Sequence, residues 1–431
     1  MKVHIVGAGP TGMSLAWEIL RSTDHEVTIY DRKLSAGGSW WEPEGDKRDL
    51  HAHRIVFDRA YVNTRSLFDE MGIKWNQVFA PVEKNVYSLM FQSLRASDYG
   101  TLTSLAIRVL TQPKKYKGVS LKNAIGKLSE TGNTFVEHLP LIMDGVTWDV
   151  MSAYEFVKNL DHVGLSTPHT QRVSGKVMCD AMEEALINTG ANFIFGTELV
   201  DIKYNEDDFV ATFSDERVIN DGMLFLCLDN SPALKLLGDN WGPDADKKVR
   251  LSTYGAINVL LDYEEPLSMK TDLEISATTK WNLQPKVLAD GKTVSCVICH
   301  LTEEILGSSP EILKEEVLKQ LGLPEPLDIR IGWGAEWEED KWTFSQSSGV
   351  LSLYGQLPFF GKCSKVAMCG MMSPRYTPYS SIEAGIEVSR SLSHECFGTR
   401  KPLKPLLLSQ VLLFVVVLLI VLVLVYRNRN Q

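Results

Sequence analysis

Positive charge is in short supply in this sequence, and the shortage excludes one class of partner at once. Its 44 Lys and Arg residues are outnumbered by 54 Asp and Glu, a formal net charge of −10. A surface that grips nucleic acid needs clustered cations to displace counterions from phosphate. The densest basic run before the tail, Lys114-Lys115-Tyr116-Lys117, reads as a solvated turn. Nucleic acid is therefore not an expected partner. Cysteine is scarce too. There are seven, an odd number scattered from Cys179 to Cys396, which points to reduced thiols rather than a disulfide framework. Cys296-Val297-Ile298-Cys299-His300 spells a haem-attachment motif, but the surrounding TVSCVICHLT alternates as a strand does. Residues i and i+3 of a strand face opposite sides, so two such thiols cannot clasp one group. The pair His51 and His53 has no third ligand in view, and no metal site is expected. Internal repeats and low-complexity tracts are missing. An export signal is not expected either, because the first strand begins at residue 2.

What is present starts with that strand. Lys2–Val6 reads as buried β, Thr11–Arg21 as a helix with apolar residues on one face, and Glu26–Tyr30 as a second strand. Between the first two lies Gly7-Ala8-Gly9-Pro10-Thr11-Gly12, a G-x-G-x-x-G run. Gly7 permits the tight turn, Gly9 lets main chain approach a pyrophosphate, and Gly12 lets the helix pack on the strand. Pro10 suits the first helical turn, where its missing N–H costs nothing. The helix N-terminus, with Thr11 in its first turn, then offers free N–H groups to an anion. The second strand, EVTIYD, ends in Asp31, whose carboxylate can accept bonds from both hydroxyls of an adenosine ribose. The same charge disfavours a 2′-phosphate. No second G-x-G-x-x-G follows, so a second dinucleotide has no evident seat.

Asp31 is followed by Arg32-Lys33-Leu34-Ser35-Ala36-Gly37-Gly38-Ser39-Trp40-Trp41. An acidic strand end, a short loop and a Gly-Gly pair resemble the two-dinucleotide-binding-domain flavoproteins, most closely the amine oxidase and phytoene desaturase superfamily. The resemblance implies non-covalent FAD, with Arg32, Gly37, Gly38 and Ser39 along the cofactor. It extends to Gly196-Thr197-Glu198-Leu199-Val200, where Leu199 or Val200 would meet the adenine through main chain. It extends also to Val366-Ala367-Met368-Cys369-Gly370 with Met371, and to the helix opened by Ser381 and Ile382. That helix N-terminus would face the flavin pyrimidine carbonyl and favour the reduced, anionic flavin. The chain departs from the pattern in three places. Ser39 stands where Arg is usual, Met371 where an acid is usual, and Glu383-Ala384-Gly385 where Glu-Gly-Ala is common.

The fold implied is α/β: a Rossmann-like FAD-binding domain interleaved with an α+β substrate domain, plus a C-terminal transmembrane helix. The expected divisions are 1–60, 171–250 and 363–395 for the FAD-binding domain, and 61–170 and 251–362 for the substrate domain. A linker over 396–405 then leads to a membrane span over 406–426. That span is apolar apart from Ser409, Gln410 and Tyr426, and at ~1.5 Å per residue it matches ~30 Å of hydrocarbon. The expected protein is a single-pass, C-terminally anchored oxidoreductase with its bulk in the cytosol. It takes hydride from a C–N or C–C bond of a small organic substrate, and the tail favours a lipophilic one. Gly37-Gly38-Ser39-Trp40 is also similar to the G-G-x-W of flavin monooxygenases, and Ser39 with Met371 suits a non-catalytic flavoprotein; both alternatives stay open. No catalytic pair is legible. Arg375, Tyr376 and Tyr379 are candidates for the flavin edge.

Overall fold

The computed structural model describes residues 1–41, 55–82, 92–238, 240–269, 272–288, 290–332, 334–344, 349–350 and 356–429. His51 and His53 fall outside the described residues.

Three distant parts of the chain build one parallel sheet. β1 (Lys2–Val6) lies at its centre, with β2 (Glu26–Asp31) and β3 (Asn192–Phe195) on one side. On the other side come β7 (Met223–Leu226) and β12 (Val366–Met368), giving the order β12-β7-β1-β2-β3. β1 is buried along all but its first residue, as a parallel strand covered on both faces must be. One cover is helical: α1 (Pro10–Ser22), α5 (Gly175–Thr189) and α6 (Ile382–Phe397) pack over a core that includes Ile5, Met13, Ile19, Ile29, Met182 and Ile386. The other is a small antiparallel sheet of β4 (Leu199–Tyr204), β5 (Phe209–Phe213) and β6 (Val218–Ile219). It closes over Val6, Tyr30, Leu224 and Met368.

The remaining parts carry cores of their own. Residues 96–163 are helical, including α3 (Glu130–Asp144) and α4 (Ala153–Val163), around Leu105, Phe135 and Phe156. An antiparallel sheet in the order β9-β10-β8-β11 is formed by β8 (Ile257–Asp262), β9 (Gln284–Val287), β10 (Thr293–Ile298) and β11 (Asp328–Ile331). Cys296 is buried inside β10, Cys299 lies beyond its end, and both are free thiols, so the haem-like spelling is part of a strand.

The tail differs from its expected form in three ways. α6 runs to Phe397, two residues into the expected linker, and Gly398 then turns left-handed at φ 65°. Residues 398–407 are no loose linker either. Arg400 is bonded to Glu18 and Glu70, and the Leu403 N–H donates to Asn63 Oδ1 at 2.8 Å. Polar side chains that recur in the flanking elements hold this strap, a pairing that proline and glycine content cannot reveal. The final helix, α7 (Leu408–Arg429), starts two residues later than the expected span, because Gln410 Oε1 accepts the Leu407 N–H and caps it there. Among the described residues no helix is long and apolar enough to cross a membrane. The transmembrane helix expected over 406–426 is therefore not shown by the described residues.

Candidate cofactor and active site

The glycine turn is shaped by contacts no other residue could make. Gly7 has φ 111°, and a Cβ there would lie 2.4 Å from the Cys227 carbonyl oxygen. A Cβ on Gly12 would lie 2.0 Å from the Gly7 oxygen. Gly9 faces Gly38 across the site: a Cβ on Gly38, itself at φ 57°, would come within 2.7 Å of Gly9 Cα. The Gly37 N–H donates to Ala8 O at 2.9 Å, so the Gly-Gly loop lies against the first turn backbone to backbone. α1 begins at Pro10 with no side-chain cap on its first N–H groups. Main chain bare of side chains beside an uncapped helix N-terminus is what a pyrophosphate needs. Ser39, by contrast, is exposed and brings no charge.

Beyond β2 the site continues toward an adenosine. Asp31 Oδ2 accepts the Ala8 N–H at 2.7 Å and Oδ1 accepts the Lys33 N–H at 2.9 Å, which fixes the carboxylate at the strand end. The N–H groups of Gly196 and Thr197 donate to the Lys33 and Asp31 carbonyls at 2.9 and 3.0 Å. Leu199 is buried, whereas Val200 is half exposed and drops out of the ladder: Leu199 pairs with Phe213 and Asp201 with Thr212. This bulge takes the Val200 main chain out of the strand pairing, as a main-chain contact to a base would need. Arg32 turns away from the glycine turn to Glu198, 3.6 Å away on the surface.

At the other end, Gly370 follows β12 and abuts Asn230, whose Oδ1 would be 3.0 Å from an added Cβ. Met371 packs against the core under β12, and its carbonyl accepts Arg375 Nε at 3.0 Å. Arg375 also donates to the carbonyls of Thr377 and Tyr379 at 2.6 and 2.7 Å, so it holds the loop and is not a free flavin contact. Ser381 caps α6 by accepting the Ala384 N–H at 3.1 Å, and Ile382 is buried beside it. Gly385 is required where α6 meets α1, since a Cβ would lie 2.5 Å from Thr11 Oγ1. Ser389 Oγ donates to Thr11 O at 2.7 Å. The first and last motifs are thus one structure.

Around the site, Arg390, His162 and Asp144 were not singled out by sequence, whereas Tyr376 and Tyr379 were. Glu383, fully buried in the first turn of α6, accepts the N–H groups of Asn63 and Thr64, Asn63 Nδ2 and Thr64 Oγ1 at 2.7–3.0 Å. It thereby caps α2 (Val62–Met71) with a carboxylate. Burial pushes its carboxyl up, and the four donors oppose that. Arg390, fully buried, donates to Glu18 Oε1 at 2.9 Å and Asn63 Oδ1 at 3.0 Å. Tyr379 stacks on Tyr61 with ring centroids 6.2 Å apart, and its hydroxyl lies 2.9 Å from His162 Nδ1. Burial, with Lys158 nearby, pushes His162 down to about 4, so the imidazole is neutral. Burial and the Glu155 charge push Asp144, bonded to Asn159, up to about 7. Tyr376 lies at the surface with Lys158 and Lys404 over its ring. Trp40 is core, and Trp41 lies under the Lys33 ammonium, 4.5 Å from ring centre to Nζ.

Comparison with known proteins agrees with this geometry. A family model described as an NAD(P)-binding Rossmann-like domain matches residues 5–70. An oxidoreductase from Methanosarcina mazei has a similar structure, with TM-score 0.61 and 15% identity over 91% of this chain and 100% of that one. A putrescine oxidase solved with putrescine bound gives TM-score 0.61 and 15% identity over 92% and 99%. At that identity the likeness is one of fold. In sequence, zeta-carotene desaturase of Synechocystis is 37% identical over 79 residues, which are 18% of this chain and 16% of that protein. Thiamine thiazole synthase of Thermococcus kodakarensis is 23% identical over 215 residues, 50% of this chain and 76% of that one. The Rossmann-like fold, shared with amine oxidases, is therefore shown.

Proposed function

We propose that the chain is an FAD-dependent oxidoreductase of the amine oxidase and desaturase kind. It takes hydride from a C–N or C–C bond of a small organic molecule. The observation that carries this is the juxtaposition of Gly9, Gly38, Asp31 and the uncapped start of α1, with the first turns of α6 packed against Thr11. FAD bound there supplies the hydride acceptor. The chain's own residues bind and orient. Asp31 receives the ribose hydroxyls, and the main chain of Gly9, Gly38 and Val200 takes pyrophosphate and base. The N–H groups at Ser381 and Ile382 stabilise negative charge on the ring. The neutral His162 and the Tyr61–Tyr379 pair form a buried, rigid wall beside the start of α6.

α7 is the membrane tether in this reading, with the catalytic body on the cytosolic side and a lipophilic substrate. What supports it is that Leu412 through Val423 are all at least 43% exposed, apolar around the whole helix. The deciding experiment is anaerobic stopped-flow mixing of the full chain in detergent with NADPH and, separately, with amines and polyenes. An oxidase or desaturase is bleached by an organic substrate without nicotinamide. Bleaching by sub-millimolar NADPH within about a second, the pace of ordinary turnover, would give the monooxygenase reading first place. Alkaline carbonate extraction tests the tether, which is wrong if the full chain washes off membranes.

A further inference from the structure

α4 buries more polar chemistry than a packing helix needs. Glu155, Asn159 and His162 follow one another at i, i+4 and i+7, which places them on one stripe, and each is at most 2% exposed. Asn159 Nδ2 donates to Asp144 Oδ2 at 2.5 Å, so the last residue of α3 joins the stripe. At the other end His162 Nδ1 meets the Tyr379 hydroxyl at 2.9 Å, two residues before the Ser381 cap of α6. Two buried atoms of the stripe have no hydrogen-bond partner among the described residues: Asn159 Oδ1 and His162 Nε2. Buried polar atoms are nearly always paired, because water was given up to bury them. An orphaned acceptor in a core therefore points to a ligand that completes it.

What fits is set by the company that acceptor keeps. It belongs to the same amide that touches the Asp144 carboxyl, and the Glu155 charge adds to the burial that pushes Asp144 up to about 7. The Arg375 guanidinium pulls the other way, but three carbonyls of its own loop hold it. A metal ion is not suited, since no group of three metal-binding side chains occurs among the described residues. An ammonium is suited, because it brings one positive charge and three N–H donors to a cluster of acceptors. We propose that the Asp144 end of this stripe seats the ammonium group of the substrate, which makes that substrate a cationic alkylamine rather than an uncharged polyene. A polyene would leave Asn159 Oδ1 unpaired. The assignment deepens the oxidoreductase reading above and rests on it.

The test is calorimetric titration of the full chain in detergent with n-butylammonium and with its uncharged counterpart, n-butanol. The buffer is held above the Asp144 value of about 7, so that the carboxyl is ionised. The parent should bind the ammonium about tenfold or more tighter than the alcohol, the worth of a charge-assisted bond. Asp144→Asn keeps the size of the side chain and an oxygen for Asn159, and it should remove that preference while leaving n-butanol unchanged. Should this variant fail to fold, Asn159→Asp adds a charge at the seat and should tighten the ammonium alone. The proposal is overturned if the parent does not prefer the ammonium, or if neither variant changes the preference. It is overturned also if Asp144→Asn weakens both probes alike, which would make Asp144 a brace between α3 and α4. Flavin absorbance of the same sample keeps the two readings apart. Flavin-loaded protein that treats the probes alike loses the ammonium seat only, whereas protein that prefers the ammonium but takes up no flavin keeps the seat and loses the oxidoreductase reading.

Discussion

Arg400, beyond the last helix of the cofactor half, grips Glu18 of α1 with Nε 2.8 Å from Oε2 and Nη2 2.6 Å from Oε1. Its other bonds reach both oxygens of Glu70 at 2.6–2.7 Å. Glu18 is buried and shares Oε1 with the equally buried Arg390. Two carboxylates and two guanidiniums thus form a closed cage joining α1, α2, α6 and the strap.

Removing Arg400 leaves that cage one positive charge short. Arg400→Ala should destabilise the full chain by roughly 1–3 kcal/mol, because Glu18 keeps its desolvation and loses two charge-assisted bonds. Urea unfolding of parent and variant checks this. Equal midpoints would show that the cage is decorative. For the same reason, a tail-deleted fragment ending at 398 should melt below one ending at 410.

Glu70 makes the same cage sensitive to acid. Burial works to raise its carboxyl, but bonds from Arg400, Ser66 and Trp17 hold it at about 2. The folded value lies below the ordinary 4.5, so its contribution is complete above pH 4.5 and disappears as pH falls toward 2. Melting temperatures of the parent and of Glu70→Gln should converge across that window. A gap that stays constant with pH argues against the assignment.

Glu383→Ala strands four buried donors at the start of α2. It should cost about 3 kcal/mol or more, near the upper end for one buried acceptor, while Glu383→Gln recovers part. Thermal melts rank the three proteins. An Ala variant as stable as the parent would be inconsistent with the cap.

Within the site, Asp31→Ala should weaken FAD by ~1–3 kcal/mol through loss of charge-assisted ribose bonds. Gly9→Ala brings a Cβ to a tight 3.3 Å from Gly38 Cα, so it should keep the fold only by pushing the Gly-Gly loop back, and lose FAD. Gly12→Ala, 2.0 Å from a carbonyl oxygen, should fail to fold. FAD titration and circular dichroism separate the two glycines; the same phenotype for both would contradict the geometry.

What the sequence disclosed was local. The Gly7–Gly12 turn, Asp31 and Gly37-Gly38 lie within 32 residues, and their spacing alone encodes the site. The cross-chain partners are not encoded that way. Glu383 and Asn63 are 320 residues apart, and nothing near either names the other. Arg375 read as a flavin-edge candidate, but three carbonyls of its own loop claim it. Val200 was legible only as one of two neighbours, because a bulge depends on the partner strand. Which way each loop cation turns is not legible either: Arg32 lies near Glu198 and Lys33 over Trp41.

The order of strands in the parallel sheet has a consequence during synthesis. β1 is flanked by β2 and by β7, and the edge strand β12 comes from residues 366–368. Residues 2–6 therefore wait for residues 366–368 to complete their sheet. Glu18 has no counter-charge until residues 390 and 400 have emerged, and the glycine turn has no Thr11–Ser389 clasp. For most of translation the cofactor half is an unfinished surface of apolar strands, the situation in which chains depend on holding factors. A nascent chain halted before residue 400 should bind chaperone and no FAD, and release from the one should coincide with capture of the other.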